Sequence, residues 1–363
     1  MSNTKLEQVL NPVPTQIKNK GFLVYIPCHT DFEMAVLQAS TLRNQFLSLS
    51  KKEKRFIEEL IVIISVNGVE LSKEQMLSIR SVCDELIYSE IEIGADLNIS
   101  QGFVKAIQRP SEFFWILSTN DKIGPNALSE VVNIFLDNPN CDLIGADENA
   151  VSRHIQISNI LINPIDGIHF GLISAVIYRT RNLISNFPTA LKLNWTGWGQ
   201  LGVIQTSCFT NGTLSVVSIP RNVLFSKMAF DRSESEDDLK RNGLYYSHSF
   251  FGMPILIAVI FARDKKTKHK FLRSWLFSNW FKVRVFSTKP YDLISDNLIN
   301  EPYWRQSIAE DLIRVNGFRS RFTYFIGKTI NWYFFRHLRS AKVLKNSFSS
   351  TLRHRKGKLN NLL

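Results

Sequence analysis

Residues Glu112–Phe135 read EFFWILSTNDKIGPNALSEVVNIF. An apolar run from Phe113 to Leu117 stops on Ser118, Thr119, Asn120 and Asp121, and an amphipathic stretch begins after the Gly124-Pro125 turn. A short apolar run ended by turn residues and followed by a helical repeat predicts a buried strand, a loop and a helix. That loop carries one carboxylate, Asp121, where the strand runs out.

The pattern recurs along the first part of the chain. FLVYIPC (Phe22–Cys28), LIVIISVNG (Leu60–Gly68) and CDLIGAD (Cys141–Asp147) are further apolar runs closed by turn residues, with helical patterns between them. Alternation of this kind predicts an α/β fold with a mostly parallel sheet covered by helices on both faces. Ligands in open sheets of that class bind beyond the carboxyl ends of the strands. Three segments should therefore converge there: Cys28 to Asp31, Asn67 with Gly68, and Ser118 to Asp121. Each segment alone also reads as ordinary turn residues. Asp121 likewise has a second reading, as the cap of the helix that starts near Asn126.

Composition narrows the class. With 363 residues, 44% of them hydrophobic, the chain has enough apolar mass for one enlarged α/β domain or two domains. Cys28, Cys83, Cys141 and Cys208 lie far apart, which argues for reduced, buried thiols rather than a disulfide framework or a zinc knuckle. The opening MSNTKLEQVLNPVPTQIKNK lacks the apolar core of a secretory signal, so a cytoplasmic location is expected. The charge of +12 is unevenly spread: from Arg263 onward 22 Lys and Arg face 6 Asp and Glu, leaving 22 against 26 before it. A near-neutral body thus carries a strongly basic, aromatic-rich tail.

Five segments in order, IPCHTD (Ile26–Asp31), IISVNG (Ile63–Gly68), DLNISQGFVKAI (Asp96–Ile107), FFWILSTNDKIGPNAL (Phe113–Leu128) and NWTGWGQ (Asn194–Gln200), resemble the successive landmarks of family 2 glycosyltransferases. Those are inverting enzymes with the Rossmann-like GT-A fold, dependent on nucleotide sugars and common in bacterial polysaccharide assembly. The resemblance spans roughly Gly21 to Phe209; together with the charge split it divides the chain into an N-terminal extension over 1–20, a GT-A domain over 21–225, a connecting segment over 226–262 and a helical, basic, aromatic-rich region over 263–363 expected to associate with a membrane.

The resemblance also implies roles, with departures. The family's Pro-x-Tyr-Asn strand end corresponds to Pro27, His29 and Thr30, and its Asp-Asp-Gly-Ser to Val66, Asn67 and Gly68. Asn98 matches the Asn-x-Gly element, with Ser100 in place of glycine. The Asp-x-Asp run that holds Mg2+ or Mn2+ against the donor diphosphate is reduced to Asn120 and Asp121, so a divalent metal is expected to bind weakly or to be dispensable. The acceptor segment would include Trp195, Trp198 and Gln200, although tryptophans also serve as core residues. An acidic pair usually follows it, and Gln200-Leu201 stands there instead; an amide is no general base, which leaves Asp147, Glu148, Asp166 and His169 as candidates. Arg179 and Arg181 offer forks suited to a diphosphate, or a solvated helix start.

FGMPILIAVIFA (Phe251–Ala262) is too short to span a bilayer. Beyond it, RDKKTKHKFLRSWLFSNWFKVRVF and INWYFFRHLRSAKVLKNSFSSTLRHRKGK interleave cations with aromatic rings, the composition of a peripheral anchor on an anionic membrane. Nucleic acid attracts the same residues, but no nucleic-acid motif accompanies them. The expected activity is transfer of a sugar from a nucleoside diphosphate sugar to a lipid-linked saccharide, such as an O-antigen or capsule precursor, on the inner face of the cell membrane. The alternatives are a catalytically silent scaffold of the same fold, and a nucleic-acid-binding protein.

Overall fold

The computed structural model describes residues 19–29, 31–91, 93–148, 152–161, 168, 170–227, 256–257, 260–261, 264, 266–268 and 270. By its contacts the chain divides into two compact units, Met1–Glu234 and Ser235–Leu363. The first contains every strand among the described residues.

Its centre is an eight-stranded sheet. The strands are β1 (Asn19–Cys28), β2 (Glu59–Asn67), β3 (Glu85–Ser89), β4 (Ser111–Ile116), β6 (Leu143–Asp147), β7 (Arg153–Ile157), β8 (Val176–Arg179) and β9 (Leu214–Pro220). Their order is β3-β2-β1-β4-β8-β6-β9-β7. Four neighbouring pairs are parallel, while β8 runs against both β4 and β6, and β7 against β9. A small hairpin-like pairing joins β5 (Lys122–Ile123) to β10 (Phe225–Lys227). The predicted α/β class and mostly parallel sheet are what the chain adopts.

Helices cover both faces. On one lie α1 (Phe32–Ser48), α2 (Lys51–Phe56), α3 (Lys73–Val82) and α5 (Ala127–Asp137), packed over Phe22, Val24, Ile26, Val62, Ile64, Phe113 and Trp115. On the other lies α4 (Ala95–Gln108), whose Phe103 meets Phe114 and Tyr178 edge-on at 5.4 and 5.6 Å. Tyr25 lies so close to α4 that a Cβ on Gly102 would fall 2.7 Å from its ring. Strands buried on both faces need continuous apolar runs, and that is why β1, β2 and β4 stand out in the sequence.

The helix starts follow side-chain chemistry. Asp31 caps α1 by accepting the Met34 N–H at 3.2 Å, while Ser50 with Glu53 and Ser72 with Gln75 form reciprocal capping boxes on α2 and α3. The remaining elements are α6 (Pro188–Lys192), α7 (Gly199–Asn211) and α8 (Arg221–Leu224). After β8 the chain makes two short 3-10 turns, Thr180–Asn182 and Ile184–Asn186, before α6 begins. Pro188 explains the delay, because proline fits the first turn of a helix but not its interior.

Candidate functional site

Parallel neighbours β2, β1 and β4 bring their carboxyl ends side by side, with Cys28 opposite Val66 and Tyr25 opposite Ile116. The three predicted segments therefore share one edge of the sheet. At β1 and β2 the exposed His29 contacts the Asn67 carbonyl through Nδ1 at 2.9 Å, and the buried Asn67 amide donates to the Cys28 carbonyl at 3.4 Å. Asn67 Oδ1 also accepts the Ile93 N–H at 3.3 Å, fastening the loop that leads into α4. Pro27 is half-buried beside them. Thr30 lies outside the described residues.

Asn98 lies just below this edge. Its Oδ1 accepts the Tyr25 hydroxyl at 2.8 Å and its Nδ2 donates to the Ser65 carbonyl at 3.4 Å. The residue is 3% exposed, so it acts on the edge from beneath by joining α4 to β1 and β2. Burial pushes the Tyr25 phenol up, keeping it a neutral donor to that amide. Burial also raises the Cys28 thiol to about 12, with Asp31 adding to the effect.

The STND turn follows β4. The Asp121 N–H donates to the Ser118 carbonyl at 3.1 Å and the Asn120 N–H to the Ser118 hydroxyl at 3.2 Å. Asn120 is exposed, whereas Asp121 is 6% exposed. Asp121 is not the helix cap: Asn126 occupies that position on α5. Two outside groups hold the turn: the Ser118 N–H donates to Ser174 Oγ at 2.8 Å, and Gln38 on α1 donates through Nε2 to the carbonyls of Ser118, at 2.9 Å, and Asp121.

Among the described residues no group of three His, Cys, Asp or Glu side chains could hold a metal ion. Within the STND turn a hard cation would have one carboxylate, Asp121, with the Asn120 amide oxygen beside it. Such a donor set suits an ion that takes its other oxygens from diphosphate and water.

The candidate bases differ sharply. Asp147 at the end of β6 is 0% exposed, and its Oδ2 accepts Arg153 Nη2 at 2.8 Å, Arg153 Nε at 3.2 Å and Ser218 Oγ at 2.7 Å. Glu148, one residue on, is exposed and faces Arg221 at 3.8 Å. Asp166 and His169 lie outside the described residues.

The segment expected to meet an acceptor packs against a strip that is tied to the same edge. Ile168 bridges to Asp147 in antiparallel fashion, and the chain from there reaches Ser174 beside Ser118. On this strip Gln200 Nε2 donates to the Gly171 carbonyl at 2.7 Å. The Trp198 ring packs so closely that a Cβ on Gly171 would lie 2.7 Å from it. Trp195 falls in the 3-10 turn Asn194–Thr196, and its side chain is outside the described part.

Arg179 and Arg181 are not at this edge. Because β8 is antiparallel to β4, Arg179 pairs with Phe113 at the amino end of β4. It is 4% exposed, donates to Glu112 at 2.9 Å and lies 5.5 Å from the Phe113 ring centroid. Arg181 donates to the Pro139 carbonyl at 2.6 Å. Of the two readings offered for the pair, a diphosphate fork finds no support in this placement, and a solvated helix start does not fit Arg179, which is buried at the end of β8.

Sequence reasoning missed Gln38, Ser174 and Asp96. Gln38 carried a signal: it is the polar member of the buried stripe Ala35, Gln38, Ala39 and Leu42 on α1.

No protein-family model and no curated protein matches the sequence. Among solved structures the chain is similar to S. aureus TarS, at 15% identity, TM-score 0.43 and coverage of 82% of this chain, and it spans about half the length of that chain, 54%. It is similar to S. aureus TarS 1-349 in complex with UDP-GlcNAc, at 15% identity, TM-score 0.43 and coverage of 87% of this chain and 92% of that one. A third is the mannosyltransferase PcManGT from Pyrobaculum calidifontis in complex with GDP-Man and Mn2+, at 10% identity, TM-score 0.40 and coverage of 85% and 89%.

Proposed function

We propose that the chain is a glycosyltransferase that moves a sugar from a nucleoside diphosphate sugar to a hydroxyl acceptor, with the donor seated beyond β1, β2 and β4. The observation that carries this reading is the STND turn: Asn120 and Asp121 follow β4, whose parallel neighbour β1 runs out at His29, which in turn contacts Asn67 at the end of β2. Polar side chains gathered at the carboxyl ends of adjacent parallel strands form the usual ligand crevice of open α/β sheets. His29 and the strand ends would meet the nucleotide, while Asn67 and Asn98 shape the edge from below. A divalent cation held by Asp121 and Asn120 would supply positive charge to the departing diphosphate.

In this reading the acceptor hydroxyl attacks the anomeric carbon opposite the diphosphate. The bond from that carbon to the diphosphate oxygen breaks, its electron pair leaves with the oxygen, and a base takes the hydroxyl proton. Inversion follows from the opposite-face attack. Glu148 suits the base better than Asp147, whose carboxylate is enclosed by Arg153 and Ser218. Trp198 and Gln200 would border the acceptor. The basic, aromatic tail would hold the protein at an anionic membrane surface, where a lipid-linked saccharide is presented. Among the described residues no helix is long and apolar enough to cross a membrane.

A second reading, a binding subunit of the same fold without catalysis, draws on two observations: the enclosure of Asp147 and the amide at Gln200. One experiment separates them. Asp121→Ala and Asp121→Asn are assayed for thermal stability and for turnover of a nucleotide-sugar panel with Mg2+, Mn2+ or chelator. The transferase reading expects both substitutions to cut turnover by about 100- to 1,000-fold with the fold retained. Turnover that survives both substitutions and chelation overturns the role of Asp121. If the unaltered protein binds nucleotide sugars without turning any of them over, the binding-subunit reading replaces the enzyme.

A further inference from the structure

Gln38 is a buried amide in an otherwise apolar helix stripe, at 1% exposure between Ala35, Ala39 and Leu42 at 0%. Its Nε2 faces two backbone carbonyls, Ser118 and Asp121, the first and last residues of the STND turn. Both partners are pure acceptors, so the group facing them is the NH2, whichever way a side-chain amide is first assigned. The other end, Oε1, has no hydrogen-bond partner among the described residues. A methionine of similar bulk would fill the stripe without burying an orphan acceptor. Packing alone therefore does not account for glutamine here; the two donated bonds do.

Those bonds link distant parts of one edge. The same helix begins at Asp31, whose side chain caps it directly after the β1 end. Gln38 lies two turns along and reaches the β4 end, 80 and 83 residues away in sequence. On the opposite flank Ser174 Oγ accepts the Ser118 N–H. The turn's first residue is thus fixed through both its N–H and its carbonyl, and its last through its carbonyl.

We propose that Gln38 is a positioning residue for the donor site: by holding the carbonyls of Ser118 and Asp121 it fixes the directions in which Asn120 and Asp121 present their side chains to the donor diphosphate. This rests on the donor site proposed above. A backbone shift of about 1 Å at such a site costs about a hundredfold in function. Gln38 touches no reacting atom and acts only through the turn.

Two variants of the full chain test this. Gln38→Met keeps the bulk and removes the donors; Gln38→Glu keeps the shape and sets a carboxylate against two carbonyls. Amide hydrogen exchange at residues 118–122 reports on the brace without any ligand, with the β1 and β2 amides as internal control. Calorimetric binding of UDP and of GDP, each with Mn2+, reports on the site. We expect exchange at 118–122 to rise about tenfold or more while the control amides hold, and nucleotide affinity to fall about ten- to a hundredfold. Unchanged exchange in both variants overturns the brace. Faster exchange with unchanged nucleotide affinity overturns the positioning role. If the unaltered protein binds neither nucleotide, the donor reading fails and takes the positioning role with it, while exchange still reports separately whether Gln38 braces the turn.

Discussion

The Asp96 carboxylate on α4 accepts the Gly197 backbone N–H at 2.7 Å, across 101 residues of chain. It thereby joins the helix that holds Asn98 under the ends of β1 and β2 to the segment that carries Trp198. Gly197 has φ of 76°, the left-handed region, and closes the 3-10 turn Asn194–Thr196. Nearby, Ser100 Oγ donates to the Ala190 carbonyl at 3.1 Å, a second tie from α4, here to α6. Asp96→Ala is expected to cost about 1.5–3 kcal/mol, the range for a hydrogen bond to a charged group, whereas Asp96→Asn keeps an acceptor and loses less. Gly197→Ala should cost about 1–2 kcal/mol from backbone strain alone. Thermal unfolding of the three variants checks this; an unmoved midpoint for Asp96→Ala would show that the tie carries no stability.

Arg179 supplies a stability prediction at the other end of the sheet. Its side chain is 5% exposed and that of Glu112 19%, with the Phe113 and Phe135 rings 5.5 and 5.6 Å away. Removing one partner strands a buried charge, so Glu112→Leu alone should cost about 3–5 kcal/mol. The double substitution Glu112→Leu with Arg179→Met should recover most of that loss, because an apolar pair of similar bulk is often neutral. Denaturant unfolding of the single and double variants measures it. A double variant as unstable as the single one contradicts the pairing.

Legibility in the sequence followed unbroken apolar runs rather than burial alone: β9 is buried from Leu214 to Ile219, but Ser215 and Ser218 interrupt its run and it does not stand out. β1, β2, β4 and β6 are buried on both faces and show as apolar runs, whereas β3 is half-buried along its whole length and β7 alternates at the sheet edge, so neither forms such a run. The edge formed by His29, Asn67 and the STND turn was legible because parallel strands put their ends together. What could not be read was chain reversal: β8 turns back against β4, and that alone carries Arg179 to the end of β4 opposite the STND turn. The partners of Gln38 and Asp96 were hidden for a related reason, since each lies at least 80 residues away.

The thiols give a labelling prediction. Cys28 and Cys208 are raised to about 12 and Cys141 to about 11, and the thiol of Cys83 is also raised, in each case chiefly by burial. Raised values leave little thiolate near neutral pH, and the thiolate is the reacting form. Among the four free cysteines only Cys83 is partly exposed. A disulfide reagent at about pH 8 should therefore label Cys83 slowly in the native protein, faster as pH rises, and all four only after unfolding. Fast native labelling of Cys28 would contradict the closed packing at the end of β1.

The charge split gives another. With 22 Lys and Arg against 6 Asp and Glu from Arg263 onward, the full chain should sediment with phosphatidylserine vesicles at low salt. Salt should release it, because exposed charges are screened beyond about 10 Å at 0.1 M. Salt-resistant RNA binding without vesicle binding would favour the nucleic-acid alternative.

Asp147 and Glu148 are neighbours in sequence with opposite surroundings, and paired variants assign them. Asp147 receives three hydrogen bonds on one oxygen and is fully buried, so Asp147→Ala leaves the Ser218 hydroxyl and part of the Arg153 guanidinium without their acceptor. Its expected cost is about 2 kcal/mol of stability, discounted from a fully buried pair because the Arg153 side chain is 38% exposed. Glu148 has a side chain 50% exposed and a distant cation at 3.8 Å, an arrangement that contributes little to stability. Glu148→Gln should therefore leave the unfolding midpoint within about 1 °C while cutting transfer by about 100-fold or more, the range for losing a general base. Donor binding should persist in that variant, since the base acts on the acceptor hydroxyl and not on the nucleotide. Transfer at full rate in Glu148→Gln, with loss only in a folded Asp147→Asn, would move the base to Asp147 and require Arg153 to release it during turnover.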